Sequence, residues 1–157
     1  MRKLFATLTA LVALLAAHLV TAAPAGATTM YNPENVCATP KGGSTANGTI
    51  ITVWTCNGSA LQEWDWNGSA IVHRASHKCL TPSGGSGANG TVLTLWTCNG
   101  ALSQGWAVTP KDVGYYWISS LNGGGCITPY GGSLANGAYL TLWSCNPYEY
   151  SSQNWWL

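Results

Sequence analysis

Three tryptophans recur in the sequence at a spacing that suggests a binding surface. Trp54, Trp96 and Trp143 each lie in the same short stretch, "TVWTC", "TLWTC" or "TLWSC". Strand alternation places aliphatic residues such as Ile51 and Val53 on one face of the strand and predicts Trp54 on the other. Exposed aromatic rings often mark a contact surface, so we expect these three rings to contact a ligand. Packing of the rings over the end of the fold is the alternative.

The chain offers little that could carry out catalysis. Glu63 and Asp65 are its only close carboxylate pair, and a glycosidase needs two carboxylates that flank the scissile bond. These two carboxylates flank Trp64 instead and have no counterpart elsewhere in the sequence. His73 and His77 are accompanied by no serine in a nucleophile elbow. The sequence therefore predicts a protein that is not an enzyme and that needs no cofactor.

Six cysteines indicate a disulfide framework. They form three pairs with a sequence separation of 19 in each: Cys37 and Cys56, Cys79 and Cys98, Cys126 and Cys145. Equal intervals predict one disulfide inside each repeat, and each closed loop of about 20 residues would contribute about 3 kcal/mol to stability. A zinc site is the weaker interpretation, because there is no Cys-x-x-Cys pair and His73 and His77 lie in one segment.

The N-terminus has the pattern of a secretory leader. Arg2 and Lys3 precede the apolar run "LFATLTALVALLAAHLV", and a stretch of small residues ends at Ala27. We therefore predict a signal peptide at residues 1–27, a secreted extracellular protein and no membrane span. A membrane anchor is the alternative for the apolar run, which His18 interrupts.

The charge of the predicted mature chain, residues 28–157, argues against nucleic acid as a partner. Loss of Arg2 and Lys3 leaves four of the six basic residues against five acidic ones, a net charge of −1 with neutral histidines. Proteins that bind nucleic acid concentrate Lys and Arg on one face or along one helix. We expect a single domain with no nucleic-acid partner.

A repeated segment organises the whole mature chain. "ANGTIITVWTCNG" returns as "ANGTVLTLWTCNG" and again as "ANGAYLTLWSCNP". In each copy Asn-Gly is turn chemistry that leads into an alternating strand, and helical periodicity is nearly absent. Three such copies predict an all-β fold of three lobes, at about residues 28–66, 67–108 and 109–157.

Each copy ends in a Gln-x-Trp triplet. The triplets are Gln62-x-Trp64, Gln104-x-Trp106 and Gln153-x-Trp155. Together with the matched cysteines, they resemble the ricin B-chain type lectin family over essentially the whole mature chain. The resemblance implies a β-trefoil, in which three lobes share a short barrel with a hairpin cap. It also implies that these glutamines and tryptophans are structural, with the indole rings packed in the shared core.

The resemblance also implies one sugar site in each lobe. In the family an aspartate takes two sugar hydroxyls, an aromatic ring stacks on the sugar, and a polar residue and an asparagine help to fix it. The positions that match the aspartate, the polar residue and the aromatic ring are Thr39, Thr52 and Trp54, then Thr81, Thr94 and Trp96, then Thr128, Thr141 and Trp143. The asparagine position is occupied by Leu61, Ser103 and Ser152.

Threonine in place of the aspartate weakens the expected site. A carboxylate accepts charge-assisted hydrogen bonds that a hydroxyl cannot match. Losing one such bond costs about 1.5–3 kcal/mol, or about tenfold to a hundredfold in affinity. We therefore expect the protein to bind glycans or polysaccharides weakly and multivalently, with galactose-type sugars as one candidate.

A β-trefoil that contacts proteins is the hypothesis from another functional class, as a protease inhibitor or as one component of a secreted assembly. Only "TTMYNPENV" precedes Cys37, where the second copy is preceded by the strand "SAIVHRAS". The first lobe therefore either lacks its first strand or uses Met30 and Tyr31 as a short substitute. A missing strand would leave an open barrel edge that a protein partner could pair with.

Overall fold

The computed structural model describes residues 28–111, 114–148 and 152–156 of the chain. The predicted signal peptide, residues 1–27, lies outside the described residues. Within the described ranges no helix is long and apolar enough to cross a membrane. The strands are β1 Thr28–Thr29, β2 Tyr31–Asn32, β3 Val36–Pro40, β4 Ile51–Thr55, β5 Glu63–Asn67, β6 Ala70–His73, β7 Lys78–Pro82, β8 Leu93–Trp96, β9 Trp106–Pro110, β10 Tyr116–Ser120, β11 Cys126–Pro129 and β12 Leu140–Trp143. Short 3-10 turns connect several of them, at Lys41–Gly43, Ala60–Gln62, Ser83–Gly85, Leu102–Gln104 and Tyr130–Gly132.

The strands form three antiparallel sheets. Their orders are β1-β5-β6-β7-β8, β12-β11-β10-β9 and β2-β3-β4. Single bridges connect the sheets, between Ile50 and Thr94, between Val92 and Thr141, and between Thr52 and Tyr139. The architecture is the all-β trefoil that the resemblance implies, and the lobe boundaries near residues 66 and 108 stay a prediction.

The aliphatic face of the repeated strand forms the core, which confirms the strand alternation. The fully buried residues on this face are Ile51 and Val53, Leu93 and Leu95, and Leu140 and Leu142. The indole rings of Trp64, Trp106 and Trp155 belong to the same buried cluster. Their Nε1 atoms donate to the carbonyl oxygens of Ala38, Leu80 and Ile127, at 3.0, 3.1 and 3.0 Å. A buried indole needs such an acceptor, so each ring both fills the core and holds a neighbouring strand.

A ring of backbone hydrogen bonds joins the three lobes. The amide of Gly48 donates to the carbonyl oxygen of Leu95 at 2.8 Å, and the amide of Leu95 donates back to Thr49 at 2.8 Å. The corresponding glycine bonds are Gly90 to Leu142, at 2.7 Å, and Gly137 to Val53, at 2.8 Å. The three glycines have φ values of 81°, 83° and 89°, which favour glycine. Each Ala-Asn-Gly turn therefore pairs with the repeated strand of the next lobe, and the third lobe closes onto the first.

The three predicted disulfides are confirmed. Cys37 bonds to Cys56, Cys79 to Cys98 and Cys126 to Cys145, with a Cα–Cα distance of 5.1 Å in each pair. The first cysteine of each pair lies opposite the exposed tryptophan of its lobe in the strand register, as Cys37 does opposite Trp54. Each disulfide therefore ties the end of the repeated strand, where the tryptophan lies, to the preceding strand.

The first lobe is completed by the short substitute strand, and the open edge that we considered is not found among the described residues. The side chain of Met30 is fully buried in the core. The amide of Tyr31 donates to the carbonyl oxygen of Trp156 at 3.2 Å, and the amide of Trp156 donates to Tyr31 at 2.7 Å. These bonds close the edge between the first and third lobes, because they occupy the backbone groups that a partner strand would use.

His73 is a buried titratable residue between two lobes. Its Nε2 atom lies 3.2 Å from the carbonyl oxygen of Leu61, and its Nδ1 atom lies 2.8 Å from the hydroxyl oxygen of Ser76. A carbonyl can only accept, so Nε2 carries the proton and Nδ1 accepts from the serine. Burial lowers the pKa of His73 below its ordinary value of 6.5, and the positive charge of Lys78 acts in the same direction. The folded protein therefore holds His73 as a neutral imidazole.

We predict that the free energy of unfolding falls as the pH drops below about 6.5. In that range the unfolded chain binds a proton at residue 73 that the folded chain does not, so acid favours unfolding. Denaturant titrations at pH 7.5 and pH 5.5 on the wild type and on His73→Gln measure the effect. The variant should lose part of the pH dependence, whereas His77→Asn, a change at an exposed histidine, should keep it. Equal pH dependence in His73→Gln and the wild type would contradict the assignment.

Candidate functional site

Three clefts, one in each lobe, contain the candidate sugar-binding residues. Their volumes are about 440 Å³ in the first lobe, 370 Å³ in the second and 620 Å³ in the third. Each cleft is lined by the exposed tryptophan of its lobe, by the two candidate threonines and by the Pro-x-Gly-Gly turn that follows the first of these threonines. Pockets of this size suit small ligands such as one or a few sugar rings.

The tryptophan at each cleft is half exposed. Trp54, Trp96 and Trp143 are 46%, 47% and 48% exposed. A Cβ atom on Gly48 would lie 3.8 Å from the ring of Trp96, and one on Gly90 would lie 3.6 Å from the ring of Trp143. In the second and third lobes the glycine turn of the preceding lobe therefore lies against the ring. A Cβ atom on the equivalent Gly137 would have no neighbour within 4 Å, so this turn does not contact Trp54 in the same way.

The asparagine of each Ala-Asn-Gly turn holds the strand end beside that tryptophan. Asn47 donates from Nδ2 to the hydroxyl of Thr97 at 3.0 Å, and Asn89 donates to the hydroxyl of Ser144 at 2.9 Å. In the first lobe the amide of Thr55 donates to Asn136 Oδ1 at 2.8 Å. The residue after each tryptophan is therefore fixed from the adjacent lobe.

The threonines at the aspartate position are tied into the fold. Thr39, Thr81 and Thr128 donate their hydroxyl protons to the carbonyl oxygens of Cys37, Cys79 and Cys126, at 3.0, 2.9 and 2.9 Å. The same hydroxyl oxygens accept from the Nε2 atoms of Gln62, Gln104 and Gln153, at 3.1, 3.1 and 2.8 Å. A hydroxyl has one proton to donate, so no donor remains at these positions for a ligand.

The threonines two residues before the tryptophans lie deeper than strand alternation suggested. We expected Thr52, Thr94 and Thr141 to share an outward face with the tryptophans, but they are only 2%, 6% and 1% exposed. Their hydroxyls donate to the backbone carbonyls of Thr39, Thr81 and Thr128, at 3.0, 3.0 and 2.8 Å. These residues line the floor of the clefts, and their hydroxyl protons are already used.

The glutamines of the Gln-x-Trp triplets lie beneath the clefts, where each makes three hydrogen bonds. Gln62 accepts at Oε1 from the amide of Asn57 at 2.9 Å and donates from Nε2 to the carbonyl oxygen of Thr55 at 3.1 Å, in addition to the bond with Thr39. Gln104 and Gln153 make the same set of bonds in their lobes. The side chains are 1–2% exposed and their amide groups are paired within the protein, so they hold the cleft floor together.

Among the described residues, the clefts contain one charged side chain. Lys41 is the only described charged residue that lines any of the three clefts, and its ammonium lies 5.1 Å from the centre of the Tyr139 ring. Glu63 and Asp65, which we rejected as catalytic, lie 3.8 and 3.2 Å from the guanidinium of Arg74. In the part of the chain that the structure describes, no group of three or more His, Cys, Asp or Glu residues could hold a metal ion.

One set of cleft residues was missed by the sequence analysis. Lys41, Ser83 and Tyr130 lie between the proline and the two glycines of each turn, and all three line their clefts. The signal was available, because the three copies read "TPKGGS", "TPSGGS" and "TPYGGS" and differ at this position alone. A variable residue inside an invariant turn is typical of a position that the fold does not constrain.

We predict that Thr81→Val destabilises the protein by about 1–2 kcal/mol, because the buried Nε2 group of Gln104 loses an acceptor. Denaturant unfolding measures the change. Ser83→Ala removes an exposed hydroxyl from the same cleft and should leave the unfolding midpoint nearly unchanged. Equal stability of Thr81→Val and the wild type would mean that the Thr81 hydroxyl is not needed for the hydrogen-bond network of the floor.

Comparison with known proteins identifies the family. The model of the ricin-type beta-trefoil lectin domain-like family matches residues 62–143. The chain is similar to the exo-beta-1,3-galactanase 1,3Gal43A from Clostridium thermocellum, with 32% identity and a TM-score of 0.75, and the match covers 82% of this chain and 29% of that one. A search of curated proteins gave no match.

Two further structures share the fold at lower identity. The designed three-fold symmetric protein ThreeFoil is 20% identical with a TM-score of 0.73, and the match covers 82% of this chain and 97% of that one. The hemolytic lectin CEL-III is 19% identical with a TM-score of 0.69, and the match covers 82% of this chain and 29% of that one. With three lobes, three disulfides and a family match over more than half of its length, this chain belongs to the ricin-type beta-trefoil lectin domain-like family.

Proposed function

We propose that this protein is a secreted carbohydrate-binding module that binds a polysaccharide weakly and multivalently, without catalysis. The observation that carries the proposal is the repetition of one arrangement in three lobes, a half-exposed tryptophan beside a cleft with a hydrogen-bonded floor. Trp54, Trp96 and Trp143 supply the faces on which sugar rings stack, because a sugar ring has an apolar face that an indole can cover.

The polar chemistry of the clefts explains why each site would be weak. No carboxylate lines any of the three clefts among the described residues, so no charge-assisted bond to a sugar hydroxyl is available there. The threonine hydroxyls on the floor donate to backbone carbonyls. Stacking on one tryptophan then supplies much of the affinity of one site. Several sites that engage one polysaccharide would raise the overall affinity through effective concentration.

A β-1,3-linked galactan is the first ligand to test. The galactanase with which this chain shares 32% sequence identity is an exo-beta-1,3-galactanase, and the match covers 29% of that enzyme. A module of this kind would hold the protein on that polysaccharide. A galactan consists of galactose, which is the type of sugar that the sequence analysis named as a candidate.

Secretion agrees with the chemistry of the fold. All six cysteines form disulfides, which persist in oxidising compartments outside the cytosol. The predicted signal peptide at residues 1–27 would direct the chain there. Cleavage after Ala27 would leave Thr28 as the first residue, which is the first residue of β1 and pairs with Trp64.

We predict that the mature protein binds β-1,3-galactan in affinity electrophoresis and that replacing one exposed tryptophan by alanine weakens binding about tenfold, the loss of one stacked ring. A triple variant with all three changes, Trp54→Ala, Trp96→Ala and Trp143→Ala, should not bind. It should remain folded, because these rings lie outside the core. Tyr148→Ala, a change at an aromatic residue that is 82% exposed and does not line a cleft, should bind like the wild type.

A glycan array with neutral and acidic polysaccharides extends the test beyond galactan. If the protein binds another glycan and this binding requires the three tryptophans, the carbohydrate-binding function stands and the ligand is that glycan instead of galactan. Absence of binding to every glycan, with the protein folded, would overturn it. The protein-contact hypothesis would then be preferred, although the closed edge at Tyr31 and Trp156 removes the surface on which we based it.

A further inference from the structure

The three clefts share one turn, and the side chain that begins this turn differs in each lobe. Lys41, Ser83 and Tyr130 each begin a 3-10 turn, and the glycine that follows has a φ of 62°, 63° and 62° in the three lobes. Their amides donate to Ile50, Val92 and Tyr139 at 2.9, 2.8 and 2.8 Å. Because the turn backbone is the same, this side chain is presented to each cleft from an equivalent position.

Only the third of these side chains is aromatic. Tyr130 is 64% exposed and lines the same cleft as Trp143, which is 48% exposed. Trp54 and Trp96 are the only aromatic residues that line the described parts of the first and second clefts. The cleft with two rings is also the largest of the three, at about 620 Å³.

The two aromatic residues of the third cleft are attached to the backbone at well-separated positions. Trp143 lies opposite Cys126 at one end of the β11–β12 ladder, and Leu140 lies opposite Pro129 at the other end. Tyr130 directly follows Pro129. With a rise of about 3.3 Å per residue, the Cα atoms of Tyr130 and Trp143 are separated by on the order of 10 Å, more than the width of one pyranose ring.

Tyr130 is also held firmly at its backbone. Its amide donates to Tyr139 at 2.8 Å, and its carbonyl oxygen accepts from the amide of Ser133 at 3.2 Å. Pro129 precedes it and restricts the chain further. With this backbone fixed, a ligand that covers the ring has only the side-chain torsions of Tyr130 left to order, which lowers the entropic cost of binding.

We propose that the third cleft binds two consecutive sugar residues of a glycan chain, with Trp143 under one and Tyr130 under the next. The clefts of the first and second lobes bind one sugar residue each. Tyr130 is then a residue that determines specificity for chain length, and the third lobe is the main site for an internal segment of the polysaccharide. The proposal rests on the carbohydrate-binding function proposed above.

The test uses galactose, β-1,3-galactobiose and β-1,3-galactotriose as probes. The indole N–H signals of Trp54, Trp96 and Trp143, assigned with single Trp→Phe variants, report on each cleft separately in a two-dimensional NMR titration. At Trp143 we expect galactobiose to bind about threefold to tenfold more tightly than galactose, the gain from one added ring. At Trp54 and Trp96 the two ligands should bind nearly equally.

Matched variants connect the gain to residue 130. Tyr130→Ser, which copies the second lobe, should bring the ratio of galactobiose to galactose affinity at Trp143 close to one. Tyr130→Phe should keep the ratio, because the ring face is retained. Ser83→Tyr should create the same gain at Trp96, where none exists in the wild type.

Three outcomes separate this proposal from the one on which it rests. If galactose shifts all three indole signals and the longer oligomers bind with the same affinity as galactose at Trp143, the carbohydrate-binding function stands and the two-residue cleft is overturned. A ratio that survives Tyr130→Ser would overturn the role of Tyr130. If these sugars do not bind, oligomers of any glycan that the array identifies replace them as probes, and absence of binding to every glycan overturns both proposals.

Discussion

The backbone pairing between each Ala-Asn-Gly turn and the repeated strand of the next lobe is the constraint on which the fold and the clefts depend. Leu95 is an example. Its side chain is fully buried in the core, and its backbone bonds to Gly48 and Thr49 of the first lobe. Once that residue is fixed inward, alternation turns the next side chain, Trp96, outward against the same glycine turn. The core, the closure of the barrel and the exposure of the tryptophan are therefore set together.

In the floor of each cleft, the polar groups that face the proposed sugar site are already used in hydrogen bonds that stabilise the fold. Gln104 links the amide of Asn99, the hydroxyl of Thr81 and the carbonyl of Thr97, so its amide is satisfied within the protein. Buried polar groups must be paired in this way, and a threonine at this position fits the requirement with no charge to bury. The same choice removes the carboxylate that would hold a sugar. On the proposed function, the same threonine therefore stabilises the lobe and weakens the sugar site.

The sequence predicted the features that depend on local periodicity and missed those that depend on what covers a residue. Strand alternation identified Ile51 and Val53 as core because period two determines the face of a strand. It could not show that Thr52 is buried on the opposite face, because Thr52 pairs with Tyr139, which is distant in the sequence and belongs to the third lobe. The pairing of Tyr31 with Trp156 joins the two ends of the chain, and no local pattern encodes it.

The distribution of hydrogen bonds explains how a symmetric fold can carry unequal sites. Thr39 and Gln62 are coupled to each other and to the backbone, so a change at either one disturbs a buried network. Lys41, at the start of the adjacent turn, is exposed; its backbone bonds to Ile50 and Ser44, and its ammonium contacts only the ring of Tyr139 among the interactions described above. Substitution of an exposed side chain of this kind usually changes stability by less than about 0.5 kcal/mol. Ligand preference can therefore change at this turn in one lobe at a time, while the three-fold core and its disulfides stay the same.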